Sequence, residues 1–263
     1  MKQVQILFYR DLLEFKKKYL SFFIMWSLLP MILYLMLVSP LINFFNGETI
    51  QVTNSVGIIY DCWSLPGIWF CSSSLFAFIY CFSRLRNLIV EQNQLQKYLK
   101  APLSNGQFLS SILISSIFFS VIQLCISMLI TLNLDVEGTG SIVIMDLVII
   151  FSNIFFLIVF FSILGLLLSF YVKDNLSSNL LVFAIFIFIA FSLGAIIPIP
   201  IDESNQFFEI IKKLPIYKIV LNTHKVIVLE SQLIDITALI ITAILNAFLF
   251  GVTVILSYKK FRK

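Results

Sequence analysis

Apolar runs separated by short polar stretches set the pattern of this chain. Six runs stand out, at about Tyr19–Phe45, Cys62–Ser83, Ser104–Leu134, Ile142–Val172, Leu180–Pro198 and Leu233–Tyr258. A helix needs roughly 20 apolar residues to cross the hydrocarbon of a bilayer. Several of these runs exceed that length, which predicts tilt or an interfacial end-turn. They are continuous rather than alternating, so a transmembrane β-barrel is excluded. The predicted fold is therefore an all-α integral membrane protein with six transmembrane helices, a single domain over residues 1–263. The first run is longer than the roughly 7–15 apolar residues of a cleavable signal, and no A-x-A-like site follows it, so it reads as an anchor. No internal repeat and no Pro/Gly/Ser-rich linker divides the chain.

Three stretches are amphipathic and too polar to cross. In Gln3–Tyr19, Val4, Leu7, Phe8, Leu12, Phe15 and Tyr19 recur at helical spacing, opposite Arg10, Glu14, Lys17 and Lys18. Arg10–Glu14 and Glu14–Lys18 are i,i+4 pairs. Residues 1–18 thus predict a helix lying in the interface, basic face toward headgroups. It either anchors the first span or organises the mouth beside it. The second stretch, Arg84–Gln107, carries Leu88, Leu95, Tyr98 and Leu99 at helical spacing and stops at Pro102, which disfavours helix at Ala101. It predicts a short helix within a cytoplasmic loop at 84–103, either a solvated connector or a docking surface for a soluble partner. The third, 199–232, predicts two short helices broken at Pro215 that dip into the opposite interface.

Composition sharpens the picture. Residues are 60% hydrophobic and 12% charged, where a soluble domain carries about 25% charge. A soluble or disordered chain is excluded. The net charge of +4 would suggest nucleic acid only if clustered on a soluble face, and it is not. Lys2, Arg10, Lys16, Lys17, Lys18, Arg84, Arg86, Lys97, Lys100, Lys173, Lys259, Lys260, Arg262 and Lys263 all fall on one side of a six-span topology. Lys212, Lys213, Lys218 and Lys225 fall on the other, in one loop. Lys and Arg are retained on the cytoplasmic side, which places both termini there.

Most catalytic chemistry has no foothold. There is no G-x-x-x-x-G-K-[ST] phosphate loop, no H-E-x-x-H or G-x-S-x-G, and no pair of intramembrane carboxylates. The one histidine, His224, cannot build a zinc site and reads as an interfacial residue. Asp146 and Asp235 lie near span ends, at the headgroup boundary or as proton sites. The four cysteines, Cys62, Cys71, Cys81 and Cys125, lie in or beside apolar runs without C-x-x-C spacing and read as buried small hydrophobes. Uncharged span interiors disfavour proton- or sodium-driven transport. The third run is rich in small polar residues, with Ser111–Ser115 and Ser116–Ser120 as small-xxx-small pairs. That pattern means close helix packing or a polar wall on a translocation path formed by Ser116, Ser120, Gln123 and Asn153.

Three motifs carry a family resemblance. Asn93 to Ser104, NQLQKYLKAPLS, resembles the cytoplasmic-loop motif of type-2 ABC transporter permeases (ABC-2), approximately G-T-L-E-x-L-x-x-x-P-[LV]-S. Leu95, Leu99, Pro102, Leu103 and Ser104 match, and Glu91 matches an acid common just before it. Asn93-Gln94 replaces the family's Gly-Thr, and Gln96 its acid. Tyr60-Asp61 to Pro66-Gly67 resembles the approach to span two, and Leu214-Pro215-Ile216-Tyr217 the family's outer Asn-Pro-Leu-Thr/Tyr element. The resemblance implies a membrane subunit of an exporter, not itself an enzyme. ATP and magnesium would be held by a separate ATPase subunit, with a second copy of the permease (a homodimer) or a paralogue completing the pore. Glu91, Leu95, Lys97, Tyr98, Leu99 and Pro102 would couple to the ATPase. Phe207, Phe208, Pro215 and Tyr217 would form an outer gate. No cofactor is implied in this chain, and membrane lipids are the surrounding partners. The expected cargo is amphipathic or lipid-linked: a polysaccharide, drug, peptide or lipid. The alternatives are a stand-alone carrier or channel, a lipid-acting membrane enzyme, and a non-transporting interaction or immunity protein.

Overall fold

A computed structural model describes residues 2–41, 50–53, 56–58, 60–90, 104–133, 144–198, 206–228 and 235–261. Helix α1 (Lys2–Lys17) ends at a break on Lys18, and α2 (Tyr19–Leu33) follows. Pro30 sits inside α2 and has no N–H to offer the Trp26 carbonyl, one turn back. The Gln123 side chain of a neighbouring helix supplies that donor, 3.1 Å away. Beyond, the helix widens into a π turn over Tyr34–Val38. A short antiparallel hairpin, β1 (Ile50–Thr53) and β2 (Val56–Ile58), precedes the third helix. The all-α expectation holds for everything else described; this two-stranded ribbon is the exception.

Helix α3 (Tyr60–Val90) is followed by α4 (Asn105–Leu132), α5 (Ile144–Ser169) and α6 (Asn175–Ile187), the last continuing as a π turn over Phe188–Ser192. Then come α7 (Gln206–Lys213), α8 (Pro215–Val228) and α9 (Ile236–Phe261). Among the described residues, six stretches are long and apolar enough to cross a membrane: Tyr19–Leu41, Trp63–Val90, Asn105–Leu132, Asp146–Ser169, Asn175–Ser192 and Ile236–Phe261. Each overlaps one of the six runs read from the sequence.

α3 is the hub. Its spanning window is 89% buried, whereas those of α6 and α9 are each 17% buried. Small residues bring its neighbours close. A Cβ on Gly165 of α5 would lie 2.6 Å from the Phe78 carbonyl, so the two backbones touch there. Phe70, Phe78, Phe82 and Phe161 fill the space around that contact. The outer faces of α2, α6 and α9 expose Phe23, Leu180, Phe183, Ile244 and Phe248. Such an apolar girdle suits hydrocarbon and would aggregate in water.

One boundary differs from the sequence reading. α3 runs through Ser83 to Val90, so Arg84 and Arg86 stand on the spanning helix and not in the 84–103 loop. Pro66-Gly67 lies inside α3, nearly two turns after its start, within the span as read from the sequence. At the other end of the loop, α4 starts where predicted. Ser104 caps it by accepting from the Gln107 N–H, and Gln107 accepts from the Ser104 N–H in return.

Candidate functional site

Helix α1 is where the structure adds most. Leu7, Asp11 and Phe15 recur every four residues and share one face. That face packs on α3 and α4, and it buries Asp11 (side chain 1% exposed). Asp11 is the only buried carboxylate among the described residues. A charge taken out of water must be paired and hydrogen-bonded. Arg10 Nη2 lies 2.7 Å and Arg84 Nη2 3.0 Å from Asp11 Oδ1, and Ser115 Oγ donates to Oδ2 at 2.8 Å. Arg84 also grips Glu14, with Nη1 2.9 Å from Oε2. Burial pushes the Glu14 carboxyl up, but the Arg84 hydrogen bond and the charges of Arg84 and Arg10 outweigh it and hold it below its ordinary value.

A cavity of about 220 Å³ opens beside these groups, lined by Asp11, Glu14, Lys18, Tyr80 and Arg84 with Phe15, Phe22 and Phe119 behind them. The rings continue inward as a cluster, Phe15 stacking on Trp26 with centroids 5.3 Å apart. Asp11, Glu14, Arg10 and Arg84 therefore bolt the amphipathic helix to α3, the helix that leads into residues 91–103. Chemically the site is a mechanical joint. It has no nucleophile–base pair, and among the described residues no group of His, Cys, Asp or Glu could hold a metal.

No protein-family model matches the chain, and no curated protein matches it.

The sequence-predicted sites fare differently. Glu91, Leu95, Lys97, Tyr98, Leu99 and Pro102 lie outside the described residues. The proposed path residues are inside the chain: Ser116, Ser120, Gln123 and Asn153 are all fully buried. Ser116 donates to the Ala77 carbonyl at 3.1 Å and meets Ser162 at 2.9 Å, joining α4 to α3 and α5. Gln123 serves Trp26 and Ser127. Further along, Ser72 meets Ser127 at 2.8 Å and Trp69 donates to Thr131. The serine face of α4 is a hydrogen-bonded packing seam. Among the described residues, Ser120 Oγ and both polar side-chain atoms of Asn153 have no hydrogen-bond partner.

At the opposite end, α7 and α8 form the expected pair of short helices. Phe207 and Ile210 are exposed, Phe208 and Pro215 are half-buried, and Tyr217 packs on the main core. α7 and α8 thus split the four gate candidates between surface and core. Tyr217 has its hydroxyl pushed up by burial.

His224 on α8 is fully buried, not interfacial as the sequence suggested. Its ring lies 4.1 Å from that of Trp63, and its Nδ1 and Nε2 stand 2.8 and 3.0 Å from the carbonyls of Val220 and Ala195. Desolvation lowers its pKa to about 4 despite those carbonyls. Trp63 Nε1 donates to the Gly194 carbonyl at 3.3 Å, and Gly194 adopts φ 69°. Gly67 completes the latch, because a Cβ there would fall 1.9 Å from the Ala195 oxygen.

The remaining candidates are structural. Asp235 accepts from the Thr237 hydroxyl and the Ala238 N–H and is held low by them, which makes it a cap on α9. Asp146 lies in the first turn of α5. Cys71 and Cys81 are buried as expected, but Cys125 is exposed on the apolar outside of α4. Cys62 is in α3, its side chain outside what is described. Asp11, the acid that sequence reasoning passed over, had one signal: a lone carboxylate in the apolar stripe, four residues from both Leu7 and Phe15.

Proposed function

We propose that this chain is the membrane-spanning permease subunit of an ATP-driven exporter of the ABC-2 type, lying in the bacterial cytoplasmic membrane with both termini inside. The observation that carries this reading is the ion-paired joint between α1 and α3. Arg84 holds Asp11 and Glu14 immediately before the loop whose sequence resembles the coupling motif. A push on residues 91–103 by a closing ATPase would therefore move α1 and α3 together. The sequence offers no pair of intramembrane carboxylates, which favours an external energy source over ion coupling. The polar residues of α4 are sealed within one copy, so the path for an amphipathic or lipid-linked cargo runs between two permease copies. Helix α8, folded back against α3, α5 and α9, and α7 packed beside it serve as the outer gate.

Co-expression with a candidate ATPase subunit tests the reading. Affinity capture through this chain recovers the ATPase, and Leu95→Asp or Leu99→Asp abolishes recovery. Active transport by the purified chain alone, in vesicles without an ATPase, overturns it.

A further inference from the structure

Two arginines stand two residues apart on α3 and face opposite ways. Arg84 is ion-paired with the Asp11 and Glu14 carboxylates of α1. Arg86 turns to α6. Its hydrogen bonds run from Nη2, to the Lys173 carbonyl at 2.8 Å and to Asn175 Oδ1 at 2.5 Å. Its Nε is buried and has no partner among the described residues. Among the described residues no carboxylate stands within ion-pair distance of it. Asp174, which feels the charge of Arg86, is exposed and caps α6, accepting from the Ser177 N–H at 2.8 Å.

Arg86 borders a cleft of about 610 Å³ between α3 and α6. Polarity changes in one direction along it. Arg86, Ser83, Asn87, Ser178 and Asn179 line the mouth. Leu75, Ile79 and Phe82 face Val182, Phe183 and Phe186 beyond. From Arg86 to Leu75 is roughly 16 Å of helix rise. An apolar wall at that depth in a bilayer holds neither vacuum nor water, so hydrocarbon fills it. The mouth meanwhile presents a guanidinium oriented by two hydrogen bonds from Nη2, which leaves its charge and its Nη1 hydrogens for a phosphate.

We propose that this cleft binds an anionic phospholipid of the adjoining leaflet, its phosphate on Arg86 and one acyl chain along Leu75, Ile79 and Phe82. The lipid is a resident ligand that wedges α6 against α3, separate from the exported cargo. The proposal rests on α3 and α6 spanning a membrane and not on the exporter reading, so its outcome is independent of any ATPase partner.

Native mass spectrometry of the full chain, released from nanodiscs of mixed phosphatidylglycerol and phosphatidylcholine, reads the retained lipid directly. One arginine attracts an anionic lipid by ≈ 1 kcal/mol, so wild type retains phosphatidylglycerol about fivefold over phosphatidylcholine. Arg86→Gln loses that preference. Val182→Trp, which fills the apolar part of the cleft, loses retention of both lipids while circular dichroism shows the helices intact. Equal retention of the two lipids by wild type overturns the proposal, as does an unchanged preference in folded Arg86→Gln. Displacement of the lipid by excess inorganic phosphate would show a free-anion site and overturns it too. So does efficient disulfide cross-linking between copies of Phe183→Cys in a Cys125→Ser background, because a second chain and not lipid would then occupy the cleft.

Discussion

Gly67 and His224 show how much hangs on single residues. Gly67 exists to let the Ala195 carbonyl in; a methyl at that position meets the oxygen at 1.9 Å. Gly67→Ala should cost about 1–3 kcal/mol through forced backbone shifts, seen as a lowered melting temperature in detergent. Gly251 on α9 is the control. A Cβ there meets nothing within 4 Å, so Gly251→Ala should stabilise by about 1 kcal/mol through helix propensity alone. His224 carries a pH dependence. Its folded pKa is depressed to about 4 from 6.5 by burial. Between those values the unfolded chain binds a proton that the folded chain does not, so stability falls as pH drops from 6.5 toward 4. The loss amounts to about 3 kcal/mol, measurable as a slope of melting temperature against pH. His224→Gln should flatten that slope.

Among elements, α1 departs furthest from its sequence character. Its hydrophobic pattern describes an interfacial helix, yet its Asp11 face is docked on α3 through the Arg84 ion pair and on α4 through the Ser115 hydroxyl. A buried pair is weak evidence of net stability, but removing one partner leaves the other charge uncompensated and costs about 3–5 kcal/mol. Asp11→Ala and Arg84→Ala should each destabilise by that order. The double variant should cost less than their sum, and a double-mutant cycle measures the coupling. If α1 merely lay in the interface, the cycle would close to zero. Because Glu14 is held low by Arg84, its share of the joint is present above its ordinary pKa and lost as pH falls through the depressed value.

For the molecule as a whole, the basic positions converge on one end of the bundle. Arg86 bonds the Lys173 carbonyl, Lys260 lies over the Tyr171 ring and Arg84 holds α1. Lys218, His224 and Asp235 belong to the other end, where the field of Lys218 reaches Asp235. Positive charge resists translocation. Tags on the N-terminus and the C-terminus should therefore be protected together in intact cells and digested together in inverted vesicles. A tag exposed on opposite faces would break the six-span topology.

The amino-acid sequence by itself determined the number and approximate placement of the spans, because burial in hydrocarbon demands long uninterrupted apolar runs. It also marked both short helices at Pro215 and the start of α4 at Ser104. Tertiary structure alone decided what the polar residues inside those runs do. Gln123 serves a carbonyl freed by Pro30 roughly a hundred residues away in the chain, and Ser115 and Arg84 find Asp11 only once three helices meet. A one-dimensional pattern records which face of a helix is polar. It does not record whether that polarity will meet water, headgroups or another helix, since that depends on partners distant in sequence.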